Sequence, residues 1–310
     1  MRSRALPSVR RRTHALLYLI TIATLAISGC HPGNAEARQL RSSCDEGDAA
    51  ACNAFAVKLQ KGEYVLRDDE RAAALFDRAC NGGVGTGCAS LGVAYQRGRG
   101  VKRDSTRAFD LFRRGCDLRA ADGCTRLGAL YQRGSGVTRD VTRAAALFQE
   151  ACDGGDASGC AHLGTLHATG EGVRQDGARA TMLFQRSCEQ QVALGCLGLG
   201  RLYATGNGVA RNDSIAMSLF ERACEGREVD ACVERAVAYE TGRGVATDFH
   251  QASLLYREAC EDRHGEACAR LASMYDRGAG VYRQPERARE FRARACEYGY
   301  ADACATKESA

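Results

Sequence analysis

Sixteen of the 17 cysteines fall into eight pairs, each with seven residues between its members: Cys44/Cys52, Cys80/Cys88, Cys116/Cys124, Cys152/Cys160, Cys188/Cys196, Cys224/Cys232, Cys260/Cys268 and Cys296/Cys304. Each pair follows the last by 36 residues without a slip. A fixed period between about 20 and 50 residues is the signature of a tandem array, in which one supersecondary unit is stacked on copies of itself. Any fold for this chain has to repeat with that period. It also has to bring two thiols together across the same short loop eight times.

The seventeenth cysteine is Cys30, and its setting bears on the compartment. Residues 1–12 carry Arg2, Arg4, Arg10, Arg11 and Arg12 with no acid, and "ALLYLITIATLAISG" (15–29) is mostly apolar and uncharged. That is the charged region and hydrophobic region of a signal peptide, at about 15 residues too short to span a bilayer. Residues 1–29 are therefore expected to be a signal peptide. The run ends in Ile27-Ser28-Gly29-Cys30, which resembles the lipobox of bacterial lipoproteins. The resemblance implies cleavage before Cys30, lipidation of its thiol and a periplasm-facing anchor, with secretion as the alternative. His31, in place of an aspartate, favours outer-membrane sorting under the enterobacterial rule. Residues 1–29 hold five of the 43 basic residues and none of the 38 acidic ones, which leaves 38 of each in the remainder. A chain so balanced has no basic excess for nucleic acid.

In an exported chain, regularly spaced cysteines read as disulfides, whereas the cytosol would favour metal or redox chemistry. Zinc sites usually place cysteines two to four residues apart, and no loop here contains C-x-x-C. All sixteen paired cysteines are expected to be bonded, with no metal and no cofactor.

One period reads "CTRLGALYQRGSGVTRDVTRAAALFQEACDGGDASG" (124–159). Cys124, Leu127, Gly128 and Tyr131 stand at i, i+3, i+4 and i+7, one face of an α-helix. Gly134 follows and recurs as Gly62, Gly98, Gly170, Gly206, Gly242 and Gly278, suited to the left-handed residue that ends a helix. A second helix is expected behind the caps Asp68, Asp104, Asp140, Asp176, Asn212 and Asp248, with Gln284-Pro285 in the last unit. Its face is marked by Ala144, Leu147, Phe148 and Ala151 and their equivalents. Each unit is a helix hairpin, and the fold class is all-α: a right-handed α-solenoid with units starting at 52, 88, 124, 160, 196, 232 and 268. Every cysteine pair then joins two units, its first member ending the second helix of one and its second member beginning the first helix of the next. Closing a loop of about eight residues contributes roughly 2.5 kcal/mol per bridge, at the joint on which a repeat array depends.

The motifs "LFxxAC", "GC/AC…LG…Y" and "GxGV" at this period resemble Sel1-like repeats, which are close to tetratricopeptide repeats. With C-x7-C at every joint, the chain is more closely similar to the cysteine-rich, secreted Hcp family. The resemblance covers residues 44–304. Residues 30–43 are expected to form a lipidated tether and N-terminal cap, and 305–310 a tail. Tyr64, Arg235 and the pair Phe291-Arg292 depart from the repeat pattern and put local packing in question.

The Hcp resemblance implies β-lactamase-like or penicillin-binding activity as one possibility. Serine β-lactamases carry S-x-x-K, S-D-N and K-T-G, and none occurs here; the four lysines are Lys58, Lys61, Lys102 and Lys307. His162 and His167 are five residues apart, on diverging helix faces, and His167 replaces a core tyrosine. No catalytic constellation emerges. The other implication is a binding groove lined by first helices, whose variable stripe carries Arg97, Arg126, Arg133, His162, Arg201, Glu234, Arg270 and Arg277. The partner expected there is an envelope protein, an acidic or carboxylate-bearing peptide, or a peptidoglycan fragment, bound by a monomeric scaffold.

Overall fold

A computed structural model describes residues 32–304; the segment expected to be a signal peptide, the lipidation expected at Cys30 and the 305–310 tail lie outside those residues. The described residues form sixteen helices and no strand. The chain divides into two compact units, Met1–Leu118 and Arg119–Ala310. The first holds α1 (Pro32–Asp45), α2 (Ala49–Lys61), α3 (Asp69–Asn81), α4 (Gly85–Arg97) and α5 (Ser105–Asp117). The second holds α6 (Ala121–Arg133), α7 (Val141–Asp153), α8 (Ala157–Thr169), α9 (Gly177–Glu189), α10 (Ala193–Thr205), α11 (Asp213–Glu225), α12 (Val229–Thr241), α13 (Phe249–Glu261), α14 (Gly265–Arg277), α15 (Pro285–Glu297) and the short α16 (Ala301–Cys304). Even-numbered helices from α2 to α14 are the first helices of the hairpins, and odd-numbered ones from α3 to α15 the second. The helix α1 begins at Pro32, so residues 32–43 are helical along their whole length.

The hairpin turn has one chemistry seven times. Gly62, Gly98, Gly134, Gly170, Gly206, Gly242 and Gly278 close the first helices at φ between 69° and 76°, the left-handed region that only glycine enters without cost. Six residues later the backbone turns extended, and the carboxylate or amide of Asp68, Asp104, Asp140, Asp176, Asn212 or Asp248 accepts the backbone N–H three residues on. Gln284 makes no such bond, and Pro285 opens the helix behind it, where no N–H is needed. The same cap residue donates its own backbone N–H back to the first helix, as from Asp140 to the Tyr131 carbonyl (3.0 Å) and from Gln284 to the Tyr275 carbonyl (3.0 Å). This bond fixes the angle between the two helices of a hairpin.

The core is built from small residues that let a ring in. Ala72, Ala108, Ala144, Ala180, Ala216, Ala252 and Ala288 are buried in every second helix. The buried rings of Phe112, Phe148, Phe184 and Phe220 occupy the space that a Cβ would need at Gly92, Gly128, Gly164 and Gly200 of the partner helix. Ring burial of this kind is worth about 3–5 kcal/mol per phenylalanine against alanine. The three departures are each accommodated. Tyr64 takes φ 61° and packs its ring against Gly33 of α1; at the equivalent Gly100, Gly208, Gly244 and Gly280 a Cβ would collide with the backbone of the preceding second helix. Arg235 turns its guanidinium to Glu221 (2.7 Å). Phe291 stacks on Tyr275 (centroids 5.5 Å) while Arg292 pairs with Asp276.

Seven cysteine pairs lie at bonding distance within one or other unit: Cys44–Cys52, Cys80–Cys88, Cys152–Cys160, Cys188–Cys196, Cys224–Cys232, Cys260–Cys268 and Cys296–Cys304. Their S–S separations are 1.94–2.07 Å and their Cα–Cα distances 4.5–4.9 Å. Cys116 and Cys124 fall on either side of the division between the units. The third residue after the first cysteine is left-handed in all eight loops: Gly47, Gly83, Gly155 and Gly299 in four, and Arg119, Gln191, Arg227 and Arg263 in the others.

The joints correct one boundary expected from the sequence. Cys52, Cys88, Cys124, Cys160, Cys196, Cys232 and Cys268 do not open the first helices. Those helices start three residues earlier, at Ala49, Gly85, Ala121, Ala157, Ala193, Val229 and Gly265. The second cysteine is instead the residue whose N–H makes the first four-residue, α-helical bond back to the capping residue's carbonyl. Cys52 bonds to Asp48 (3.0 Å), Cys88 to Val84 (3.3 Å), Cys160 to Asp156 (3.2 Å), Cys232 to Glu228 (3.3 Å) and Cys268 to His264 (3.2 Å). The turn before the cysteine is set by backbone bonds and a cap and buries only small residues, such as Ala51, Ala231 and Ala267, which mark the sequence less plainly than the larger apolar residues behind the cysteine. The first cysteine likewise stands one residue before its helix ends. The bridge therefore lies inside the packing and not on the loop: Cys52, Cys88, Cys160 and Cys268 are at most 1% exposed, and Cys232 is 8% exposed.

An arginine two residues before the next first cysteine reaches back to the preceding joint. Arg78 donates to the Cys44 carbonyl (2.7 Å), Arg222 to the Cys188 carbonyl (3.2 Å), and Arg186 approaches Cys152 Sγ (3.8 Å). Carbonyls at a helix C-terminus lack intrahelical donors, and a cation there also meets the negative end of the helix dipole.

Candidate ligand groove

Within the second unit the first helices α6, α8 and α10 pack side by side, which aligns their variable positions along one face. Of the stripe expected to form a groove, Arg97 stands exposed at the end of α4 in the first unit; the other seven residues belong to the second. They divide into two electrostatic groups.

The first group surrounds His162 on α8. Its ring stacks on Phe148 (centroids 4.9 Å, planes 17° apart). Burial lowers its pKa, the charge of Arg133 lowers it further, and Asp156 opposes both. Asp156 is otherwise engaged: it caps α8 through Ser158 N (3.0 Å) and accepts the hydroxyl of Thr125 (2.5 Å). Arg126 is half-buried beside Asp122, whose carboxyl is raised by burial and pulled back down by that arginine.

The second group spans α10, α12 and α14. Arg201 pairs with Glu234 (2.8 Å) and Asp230 (3.4 Å) on the next first helix. Arg277 and Arg270 both reach back to Glu240 (3.0 and 3.7 Å), and Arg270 also holds Glu266 (2.8 Å). Glu240 accepts in addition the hydroxyl of Tyr256 (2.9 Å), a fully buried tyrosine in the register position of the phenylalanines. Burial and the Glu240 charge push that phenol far above its ordinary range. The stripe therefore carries its own counter-charges between α10 and α14, and its surface there is a lattice of alternating sign. Of the acids responsible, Glu234 belongs to the expected stripe, whereas Asp230, Glu240 and Glu266 lie outside its offsets two, five and nine: Glu240 stands at offset eight, and Asp230 and Glu266 before their units begin. Their signal is the i, i+4 pair Glu266/Arg270 and the placement of Glu240 one position from the stripe.

The packing opens where α10, α11 and α12 meet. A cavity of about 260 Å³ has an apolar floor of Ala216, Met217, Phe220 and Ala238 and a rim of Arg201, Glu234, Asp213 and Arg243. Two small residues of the repeat, combined here in adjacent units, line the space. Ala238 stands where Leu130, Leu166, Leu202 and Met274 occur, an alanine it shares with Ala94, and Ala204, also in the wall, stands where Gln60, Gln96 and Gln132 occur, an alanine it shares with Ala168. Arg201 and Glu234, both in the expected stripe, are the ion pair on its rim.

The residues give no support to acyl transfer. The fully buried serine hydroxyls donate to backbone carbonyls, Ser187 to Ala157 (2.8 Å) and Ser253 to His250 (2.8 Å). Lys58 and Lys61 pair with Glu36 and Glu63. Among the described residues no helix is long and apolar enough to cross a membrane.

Comparison with solved structures finds the same architecture. A protective antigen present in uropathogenic Escherichia coli strains, displaying an SLR fold, is 26% identical and superposes with a TM-score of 0.64 over 86% of this chain and 57% of that one. This chain thus spans little more than half the length of that relative. A Sel1 repeat protein from Oxalobacter formigenes is 24% identical, with a TM-score of 0.62, over 86% of this chain and 77% of that one. The Helicobacter pylori cysteine rich protein B is 27% identical over 44% of this chain and 97% of that one, with a TM-score of 0.35. No curated protein matches the sequence significantly. The Sel1 repeat model matches seven times, at residues 49–84, 86–119, 121–156, 157–192, 193–227, 229–264 and 265–300. The hairpin period, the small-residue seats for the phenylalanine rings and these seven consecutive matches agree, and the chain belongs to the Sel1 repeat family.

Proposed function

We propose that this Sel1-repeat scaffold holds a protein or peptide segment along the first-helix face of its second unit, in an oxidising compartment outside the cytosol. Regularly bonded cysteines of this number belong to such a compartment, and Sel1-repeat scaffolds are typically protein-binding. In the fuller reading Cys30 carries a lipid and the protein faces the periplasm from a membrane, with an envelope protein, a peptide or a peptidoglycan fragment as partner.

The observation that carries the reading is the cavity between α10, α11 and α12. It combines an apolar floor with two cations and two acids at its mouth, which suits an extended peptide that inserts one apolar side chain and sets polar backbone and charged groups on the rim. Mixed charge at a rim confers orientation and partner choice more than raw affinity.

The test is site-specific photocrosslinking in the native envelope. A photoreactive residue at Ala204, in the cavity wall, is expected to trap one peptide or protein species in stoichiometric amount, and Met217→Trp, which fills the floor, is expected to abolish the adduct. Adducts of equal yield from a reporter at exposed Met182, away from the cavity, would refute the assignment.

A further inference from the structure

The second unit carries another pocket, built from different helices and independent of the groove reading. It occupies about 720 Å³ between the second helices α13 and α15 and the turn that joins α14 to α15. Its walls include Leu254 and Tyr282 and its polar groups include His250, Arg257, Tyr275 and Arg287; none of its lining residues is acidic.

The arrangement at its base is electrostatically incomplete. Arg257 Nη2, from α13, and Arg287 Nη1, from α15, both donate to the hydroxyl oxygen of Tyr275, each at 3.3 Å. Two guanidinium groups thus converge on one neutral oxygen. Among the described residues neither arginine forms a salt bridge. A phenol oxygen offers two acceptor sites and one donor. Both acceptor sites are taken by the arginines, and the O–H of Tyr275 finds no acceptor among the described residues, although the residue is only 3% exposed. Like charges brought together at a partly buried site repel, and a buried donor left unmade costs free energy. An anion seated between the arginines would remove both defects.

The rest of the array shows that this is a local feature. An arginine on a first-helix tyrosine is part of the repeat: Arg107 donates to Tyr95 Oη at 3.0 Å, just as Arg287 meets Tyr275. The second arginine is not. The register position of Arg257 holds Asp77, Arg113, Gln149, Gln185, Glu221 and Ala293 in the other units. Gln149 there accepts from Arg179 (2.7 Å), Glu221 pairs with Arg235, and Arg113 is held by Asp110 (3.0 Å). Position 254, which would correspond to Asp110, is leucine, so Arg257 lacks the intrahelical acid that neutralises Arg113.

We propose that this pocket binds a phosphomonoester. Two guanidinium forks and one phenol O–H present donors from three directions to a single group, which matches three terminal oxygens and two negative charges better than the two oxygens of a carboxylate. The exposed ring of Tyr282 (88%) and Leu254 (40%) offer apolar contact to whatever carries the phosphate.

The experiment titrates the oxidised full chain calorimetrically with inorganic phosphate, phenyl phosphate and benzoate. In parallel, vesicles of phosphatidylcholine with and without phosphatidic acid are tested in a sedimentation assay. Phenyl phosphate is expected to bind more tightly than inorganic phosphate and at least tenfold more tightly than benzoate, and to weaken as salt is raised. Arg257→Gln and Arg287→Gln are each expected to lower that affinity about tenfold or more, as loss of a charge-assisted hydrogen bond does. Glutamine is native at both register positions, as Gln149 and Gln251, so each variant is expected to keep the wild-type helical signal and melting profile. Binding of phenyl phosphate places the group on a soluble molecule. Binding confined to phosphatidic acid vesicles, with the same loss in both variants, places it on a lipid headgroup. Absence of binding in every arm, equal affinity for benzoate, or affinity unchanged in both variants would overturn the proposal.

Discussion

Exchanging Gln191 and Arg227 for glycine is expected to make the protein more stable, although each change deletes a side chain and adds backbone freedom. Both residues sit at the third position after the first cysteine of a joint, with φ of 61° and 64°. Both are exposed, and among the described residues neither side chain makes a hydrogen bond or ion pair. The left-handed conformation costs an L-residue about 1–2 kcal/mol. Glycine removes that cost but returns about 0.5–1 kcal/mol through the entropy of the unfolded chain. The net gain is about 0.5–1 kcal/mol per position and about 1–2 kcal/mol for the double variant, since the joints are a full repeat apart and should add. Gly155 provides the reverse experiment. It has φ 92° with nothing within 4 Å of a built Cβ, so Gly155→Ala changes conformation without a clash and is expected to lose about 0.5–1 kcal/mol. Guanidinium titration of the oxidised protein, followed by far-UV circular dichroism, reads the shifts. Amide exchange at the joints shows whether they are local, which matters because repeat arrays need not unfold in one step. Destabilisation of Gln191→Gly and Arg227→Gly by the entropic amount alone would refute the reasoning.

Removing one clasp, by Cys188→Ala with Cys196→Ala, is expected to cost roughly 2.5 kcal/mol for a loop of about eight residues, measured as a lower guanidinium midpoint. Tyr256→Phe restores the common core residue but removes the hydroxyl bond to Glu240; it is expected to lose about 1 kcal/mol. Glu240→Ala should lose more by the same titration, because Arg270 and Arg277 lose their shared partner too. The depressed pKa of His162 means that the unfolded state binds more protons below about 6.5, the ordinary histidine value. Stability is therefore expected to be full above that pH and to fall as pH drops through the window beneath it. The slope should flatten in His162→Phe, which keeps the stacked ring; thermal melts at about pH 5 and pH 7.5, on either side of that value, compare the two.

The hairpins and joints could be read from the sequence because their determinants are local. An acid six residues after a glycine writes both the helix stop and the next helix start, and seven residues between cysteines leave few ways to close the loop. Where a first helix starts was less legible, as at α4, where Gly85, Thr86 and Gly87 precede Cys88, the first apolar mark of a helix already one turn old. The groove was half legible. Offsets two, five and nine locate Arg201, Arg270 and Arg277 on the correct helices, but their charge is cancelled by Glu234, Glu240 and Glu266, two of which lie on a neighbouring repeat. Interactions such as Arg222 to the Cys188 carbonyl or Arg277 to Glu240 join residues 34 and 37 positions apart. They emerge only when the units are laid over one another in register. The same holds for Arg257 and Arg287, which look like ordinary surface cations until two second helices are seen to aim them at one hydroxyl. Tyr64 is a third case: it departs from the glycine pattern without a clash, because α1, and not a preceding second helix, lies beside it.

The sulfur bridges span the loops between hairpins and leave the tips of the hairpins bare. At a joint such as 152–160 the polymer is continuous along two routes, through the peptide backbone and through the bridge, whereas at a tip such as 134–139 it is continuous along one. A protease that nicks the first kind of site produces a scar, with both ends still attached; one that nicks the second severs the molecule. Covalent continuity is therefore decided at the tips, each closed by a left-handed glycine such as Gly134.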